Sequence, residues 1–106
     1  IGLGIPAEPL FRSLCLGEEG QEGGVMELKD TVALMSSADY KERFKAEYLQ
    51  LKIRRDKLKA MVDKWDAGTL EFTPTCSRDI YGFQLYVMDG YLDILRHRAE
   101  LEGVKL

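Results

Sequence analysis

The sequence has few of the residues from which metal and catalytic sites are usually built. Its 106 residues include one histidine, His97, and two cysteines, Cys15 and Cys76. One histidine and two distant cysteines do not supply the closely spaced ligands of a usual zinc site. Cys76 could be an activated thiol at a helix N-terminus, but His97 lies about five turns further along the same predicted helix. The sequence therefore predicts no catalytic residues, no metal ligands and no cofactor.

A long apolar segment is also missing. No apolar run approaches the roughly 20 residues needed to cross a bilayer. The opening stretch is interrupted by Pro6, Glu8 and Pro9 and has no basic start, unlike a signal peptide. The composition, 45% hydrophobic and 31% charged, is that of a soluble globular domain. We therefore expect a cytoplasmic protein without membrane contact, whose cysteines stay reduced.

The first 25 residues differ in composition from the rest. They are rich in glycine, so residues 1–25 are predicted to be a flexible N-terminal extension and residues 26–106 the folded domain. The chain begins with Ile1, whereas Met26 follows a run rich in Glu and Gly, whose purine-rich codons resemble a bacterial ribosome-binding site. We hypothesise that residues 1–25 are translated upstream sequence or a fusion remnant and that the native protein begins at Met26. A genuine flexible arm is the alternative.

Charge is balanced in the predicted domain. Without Arg12 and the four glutamates of residues 1–25, the 15 basic and 18 acidic residues of the chain become 14 of each. A nucleic-acid-binding surface needs an excess of Lys and Arg to neutralise phosphates. Five basic residues do cluster between Lys52 and Lys59, but the domain as a whole is neutral, which disfavours nucleic acid as a partner.

Apolar residues at helical spacing predict three helices and an all-α fold. A short amphipathic helix at Glu27–Met35 is followed by two long arms, Ala38–Asp66 and Ser77–Glu102, which form an antiparallel hairpin. Gly68 is the expected C-cap of the first arm. The first two helices are defined by Leu28, Val32 and Met35, and by a heptad seam of Phe44, Tyr48, Leu51, Arg55, Leu58, Val62 and Trp65.

The third helix has a wider apolar face than a single partner helix covers. Its first seam consists of Tyr81, Leu85, Met88, Leu92, Leu95 and Ala99, and its second of Ile80, Gln84, Val87, Tyr91, Ile94, Arg98 and Leu101. One seam can pack on the second helix, whereas the other requires a further partner, most simply a second copy of the chain. We therefore predict a homo-oligomeric helical bundle, a dimer or larger. The predicted interface residues are Tyr81, Leu85, Met88, Tyr91, Leu92, Ile94 and Arg98.

Two glycines interrupt this third helix. Gly82 and Gly90 each cost about 1 kcal/mol of helix stability relative to alanine. A glycine inside a helix often marks the close approach of another backbone. Simple tolerance of the glycine is the alternative.

Arg55 and Arg98 occupy seam positions where apolar residues are expected. A guanidinium in such a position must bind a carboxylate, backbone carbonyls or an anionic ligand, because a buried unpaired charge is strongly unfavourable. For Arg55 the partner is either a phosphate or a carboxylate of the antiparallel helix, such as Asp89, Asp93 or Glu100. Paired arginines would favour a protein-interaction module, and an unpaired arginine in a pocket would favour a ligand-binding protein.

The loop between the long helices gathers aromatic, hydroxyl and basic residues. Trp65 ends the second helix, threonines follow, and Arg78 begins the third. An aromatic face, an arginine and the N–H groups of a helix N-terminus are suited to bind a nucleotide-like anion. The plainer alternative is that Trp65 only closes the end of the hairpin. The candidate ligand-binding residues are Arg54, Arg55, Trp65, Thr73, Thr75 and Arg78.

Three segments have a distinctive sequence: Ala38–Tyr48 (ADYKERFKAEY), Asp66–Cys76 (DAGTLEFTPTC) and Arg98–Val104 (RAELEGV). Through them the chain resembles a family of small helical proteins of crAss-like and other gut bacteriophages, from Met26 onward. It departs from the family at Ser77, where proline is expected. The resemblance implies a phage or prophage protein made in the bacterial cytoplasm, and it assigns no biochemical activity.

Small helical phage proteins in this setting are often counter-defence factors, and some act as sponges. By analogy, we expect a non-enzymatic oligomer that sequesters a nucleotide-derived immune signal, such as a cyclic nucleotide or an ADP-ribose-type molecule. The alternative is a helical protein–protein interaction module, an oligomeric adaptor or an inhibitor of a host protein. A nucleic-acid-binding accessory protein ranks third, because the domain carries no net charge.

Overall fold

The computed structural model of the protein describes residues 26–106, and the extension predicted at residues 1–25 lies outside the described residues. The described part is all-helical, so the predicted fold, a short N-terminal helix followed by a helical hairpin, is confirmed. Its elements are a 3-10 turn (Leu28–Thr31), α1 (Val32–Met35), α2 (Tyr40–Asp66) and α3 (Arg78–Glu102). None of these helices is both long enough and apolar enough to span a membrane.

Side-chain caps set the starts of the long helices. Before α2, the Ser37 hydroxyl accepts the Asp39 N–H and the Asp39 carboxylate accepts the Lys41 N–H, both at 3.0 Å. Before α3, the Ser77 hydroxyl accepts the Ile80 N–H at 3.4 Å. These bonds satisfy backbone donors that have no partner inside a helix. The observed helices therefore begin one or two residues later than the apolar pattern predicts.

Glycines set the ends of the long helices. Gly68 follows α2 with φ +76° and Gly103 follows α3 with φ +72°. In each case the next N–H donates to a carbonyl five residues earlier, at 2.9 Å behind Gly68 and 2.8 Å behind Gly103. This is the Schellman arrangement, which needs a left-handed residue at the position of the glycine. The prediction of Gly68 as the C-cap of the first arm is thus confirmed.

The chain divides into two compact units. Of the described residues, Asp56–Leu85 form the loop unit, and Met26–Arg55 with Tyr86–Leu106 form the terminal unit. The buried apolar residues of the loop unit are Leu58, Met61, Val62, Tyr81 and Leu85. Those of the terminal unit are Phe44, Ala46, Leu92, Leu95 and Ala99. In both units, the heptad seam of α2 and the first seam of α3 supply most of the core.

The second seam of α3 stays on the surface of the chain. Its apolar members are between 42% and 74% exposed, and they are Ile80, Val87, Tyr91, Ile94 and Leu101. The helix therefore buries one seam and leaves the apolar residues of the other largely exposed. An exposed second seam is the feature from which the sequence predicts an oligomer. The oligomer itself stays a prediction.

The left-handed cap at Gly68 gives a test of the fold. Replacing Gly68 by alanine places a Cβ in a left-handed conformation, which is expected to lower the free energy of unfolding by about 1 kcal/mol. Gly90→Ala is the matched control, because it lies inside a helix and should raise that free energy by about 1 kcal/mol. A Cβ added at either position meets nothing within 4 Å, so the contrast reports backbone conformation alone. Urea unfolding at low micromolar protein measures both, and shifts of the same sign would contradict the assignment.

Candidate ligand-binding site

Both seam arginines are paired with carboxylates in the terminal unit. Arg55 Nε donates to Asp89 Oδ1 at 2.7 Å. Arg98 Nε donates to Glu102 Oε2 at 2.9 Å, and its guanidinium lies 4.7 Å from the centroid of the Phe44 ring. A carboxylate on the antiparallel helix thus pairs with Arg55. By the criterion given in the sequence analysis, pairing of both arginines favours a protein-interaction module.

Glu102 is the centre of a small polar network in the terminal unit. It accepts hydrogen bonds from Arg98 and from the Tyr40 hydroxyl, the latter at 2.8 Å. The bond from Arg98 lowers the pKa of Glu102, and the bond to Glu102 raises the pKa of Tyr40. The network joins the start of α2 to the end of α3.

In the predicted loop site, the arginine is likewise paired with a carboxylate. Two guanidinium nitrogens of Arg78 donate to the two carboxylate oxygens of Asp66, each at 2.9 Å. This hydrogen bonding lowers the pKa of Asp66 and raises that of Arg78. Trp65 packs edge-to-face on Tyr81, with ring centroids 5.9 Å apart. Arg78 and Trp65 therefore both have structural partners inside the loop unit.

The two predicted threonines of the loop site lie at the surface. Thr73 and Thr75 are exposed, and Cys76 is half-buried. The hydroxyl of Tyr81 is buried without a hydrogen-bond partner among the described residues, and this burial raises the pKa of Tyr81. The predicted loop residues lie in the loop unit and Arg54 and Arg55 lie in the terminal unit.

The predicted oligomer interface mixes buried and exposed side chains. Tyr81, Leu85 and Leu92 are buried in the cores of the chain itself, and Met88 is half-buried, because their seam faces inward. The exposed members of the predicted set are Tyr91, Ile94 and Arg98. A second copy can reach these three without unpacking the core, whereas Tyr81, Leu85 and Leu92 are already buried within the chain itself. The predicted interface stays a prediction.

A groove of about 440 Å³ lies in the terminal unit. Met35 of α1 and Tyr91 of α3 line it, together with a stretch of α2. Its α2 residues are Arg43, Ala46, Glu47, Gln50, Leu51 and Arg54. The volume falls in the usual range for small-molecule sites, about 300–1,000 Å³.

Hydrogen bonds fix several side chains around this groove. The Tyr91 hydroxyl donates to the Glu47 carboxylate, and this bond raises the pKa of Tyr91. Gln50 donates from Nε2 to the Thr31 hydroxyl at 2.8 Å, which leaves its amide oxygen available. Thr31 is fully buried and also donates to the Leu28 carbonyl at 2.8 Å. Glu47, Gln50 and Tyr91 are therefore held in place before any ligand arrives.

The two arginines of the groove differ in their partners. Arg43 donates to the Ser37 carbonyl at 2.8 Å. Arg54 is exposed and has no hydrogen bond or ion pair with any residue in the range 26–106. Of the predicted ligand-binding arginines, Arg54 is thus the one whose guanidinium is not neutralised by a carboxylate of the described residues.

Sequence reasoning identified Arg54 and missed most of the residues that surround it. Arg43, Glu47, Gln50 and Arg54 follow one another at intervals of four, three and four residues, so they share one face of α2. This spacing was the available signal. Met35 and Tyr91 belong to other helices, and no local sequence pattern predicts that they line the groove. Across residues 26–106, His, Cys, Asp and Glu side chains form no group of three suited to hold a metal ion.

The network around Glu102 predicts a dependence of stability on pH. Because the folded-state pKa of Glu102 is lowered, its contribution is complete above about pH 4.5, the ordinary value, and is lost as the pH falls through the lower folded-state pKa. Glu102→Gln should therefore reduce the acid-induced loss of stability, and Glu100→Gln, an exposed neighbour, should leave it unchanged. Urea midpoints measured from pH 7 down to pH 3 test this. Parallel pH profiles for all three proteins would contradict the network.

Comparison with known families matches residues 38–101 to the family model described as Sequestin. The matched region contains α2, the loop and α3 up to its penultimate residue, so it includes seven of the eight groove residues, all except Met35. No curated protein and no solved structure matches the chain. Because the matched residues are more than half of the chain, this protein belongs to the Sequestin family.

Proposed function

We propose that the protein is a non-enzymatic binding protein that sequesters a nucleotide-derived immune signal, as a phage counter-defence sponge would. Two lines of support come from outside the groove. The family name, Sequestin, denotes sequestration. The resemblance to small helical phage proteins supplies the setting, a bacterial cytoplasm during infection.

The single observation that carries the proposal is the unpaired guanidinium of Arg54 at the groove. The other predicted ligand-binding arginines, Arg55 and Arg78, are bound to Asp89 and Asp66. A guanidinium without a carboxylate presents its donors in a planar fork that matches two phosphate oxygens. The groove therefore offers an anion a charge-assisted hydrogen bond that no carboxylate of the described residues already uses.

The neighbours of Arg54 suit the rest of a nucleotide. Tyr91 is partly exposed beside the groove, and stacking on an aromatic ring contributes about 1–3 kcal/mol per base. The Glu47 carboxylate can accept a ribose hydroxyl, as acidic residues do in dinucleotide sites. Arg43 and Arg54 are eleven residues apart on α2, about 16 Å along the helix, which suits an extended ligand with more than one anionic group.

The residues around the groove also support binding without catalysis. They include no histidine, cysteine, serine or lysine that could serve as a nucleophile or a general base. The Glu47 carboxylate accepts the Tyr91 hydroxyl at one oxygen, and the other oxygen is the one available to a ribose hydroxyl. A bound signal molecule would therefore be held and later released intact.

A protein-interaction module is the second candidate, and one observation favours it. Arg55 and Arg98 are both paired with carboxylates, which leaves the seams without a free cation. An adaptor or an inhibitor of a host protein would bind through the exposed side of α3. It would leave the Arg54 groove without a role, and for this reason we rank it second.

A thermal-shift screen tests the proposal. Cyclic dinucleotides, cyclic trinucleotides and ADP-ribose isomers are the probes, with inorganic pyrophosphate as a control for bare charge. A ligand at 100 times its Kd is expected to stabilise the protein by about 2.7 kcal/mol. Chromatography of the mixture should recover the ligand unchanged.

Arg54→Gln is expected to weaken binding of the active probe about tenfold to a hundredfold, because it removes a charge-assisted bond worth about 1.5–3 kcal/mol. Arg96→Gln is the matched control, since Arg96 is exposed, pairs with Asp93 and lies outside the groove. Isothermal titration measures both variants. The absence of a shift with every probe would refute the proposal, and consumption of the ligand would refute its non-enzymatic part.

A further inference from the structure

The outward side of α3 in the terminal unit carries a row of residues without formal charge. Val87, Ile94 and Leu101 are 52%, 60% and 74% exposed. Gly90 and His97 lie between them, at the four–three spacing of a heptad seam. We call these five residues the outer face. The described part of the chain does not cover it.

Gly90 is the second of the five residues of the outer face, and the packing of the chain does not explain it. An added Cβ there would meet nothing within 4 Å. Glycine inside a helix is unfavourable, and alanine would fit the single chain better. Glycine at this position does, however, leave a gap in the row, one helical turn before the protruding side chain of Ile94.

We propose that the outer face docks against the outer face of a second copy of this chain, with the two α3 helices antiparallel. A two-fold axis near residue 92 places Ile94 of each copy over Gly90 of the other. The same rotation places Val87 opposite His97. A two-fold interface uses one patch twice, so the patch must contain both a protrusion and the gap that receives it. The outer face has both.

The charge pattern of the outer face is consistent with a second copy as its partner. No Asp, Glu, Lys or Arg occurs at its five positions. A strongly charged partner would lose hydration there without gaining an ion pair, whereas an identical face brings no charged side chain to this row. The proposal involves no residue of the Arg54 groove, so its failure and the failure of ligand binding are separate results.

The size of the outer face sets the expected strength of the dimer. Residues 86–102 of α3 extend about 25 Å along the helix axis. A single helix face of this length is smaller than the roughly 800 Å² per partner of a standard stable interface. We therefore expect reversible association in the micromolar range, visible as a mass that rises with concentration.

Sedimentation equilibrium of the full chain, from about 5 to about 500 μM, tests the proposal. Ile94→Glu and Val87→Glu should each weaken association at least about tenfold, because a charge would be buried against an apolar face. Val32→Glu is the matched control: Val32 is 50% exposed, like Val87, but belongs to α1, and its replacement should leave the association unchanged. Circular dichroism should show the same helix content in all four proteins.

Gly90→Gln distinguishes the proposed contact from a merely tolerated glycine. The side chain has open space in the single chain, so the variant should melt at a higher temperature at 5 μM, where monomer dominates. The same side chain fills the gap for Ile94, so association should weaken. A monomer at every concentration would overturn the proposal. So would an oligomer that neither Gly90→Gln nor Ile94→Glu weakens, since another surface would then hold it.

Discussion

The structure depends on the pairing of one apolar seam of α2 with one apolar seam of α3. In the terminal unit this pairing buries Phe44 against Leu95 and Ala99, and the loop unit has its own set of buried apolar side chains. Each helix packs on the other through one face, so the side chains on its remaining faces lie at the surface. The capping glycines and serines define how long the paired helices are. The 3-10 turn before α1 adds the buried Thr31, whose hydroxyl accepts a hydrogen bond from Gln50 of α2. The candidate groove and the outer face are both consequences of what the seam pairing leaves uncovered.

On that surface, most arginines are paired with a carboxylate and are therefore not available to bind an anion. Four described arginines pair with carboxylates, namely Arg55 with Asp89, Arg78 with Asp66, Arg96 with Asp93 and Arg98 with Glu102. These exposed pairs contribute little to stability individually. Their larger effect is to remove cations from the positions at which the sequence suggested an anion. Of the other two described arginines, Arg43 donates to the Ser37 carbonyl, and Arg54 has no hydrogen bond or ion pair with any of residues 26–106. Both line the groove to which Tyr91 brings an aromatic ring.

Much of the fold could be predicted from the sequence, because the relevant signals are local. The seam of α2, the first seam of α3 and the cap at Gly68 are patterns within single helices or turns, and the structure follows them to within two residues. The pairing of Arg55 with Asp89 was one of the open alternatives, since sequence gives a seam position without giving its partner. The groove could be found only in part. Arg54 was named, but Met35 and Tyr91 join it through tertiary packing that no spacing in the sequence encodes. The choice between the two seams of α3 also needed the structure, because both have the same period and only burial separates Leu92 from Ile94.

The central claim is that the Arg54 groove binds a nucleotide-derived anion, and amide chemical shifts report the bound residues directly. A titration of the ¹⁵N-labelled protein with ADP-ribose and then with a cyclic dinucleotide follows each backbone N–H and the indole N–H of Trp65. The account predicts saturable shifts at residues 43–54 and near Tyr91, with residues 66–78 unchanged. Shifts confined to residues 65–78 would place binding at the loop instead, and an unchanged spectrum with both ligands would contradict the account.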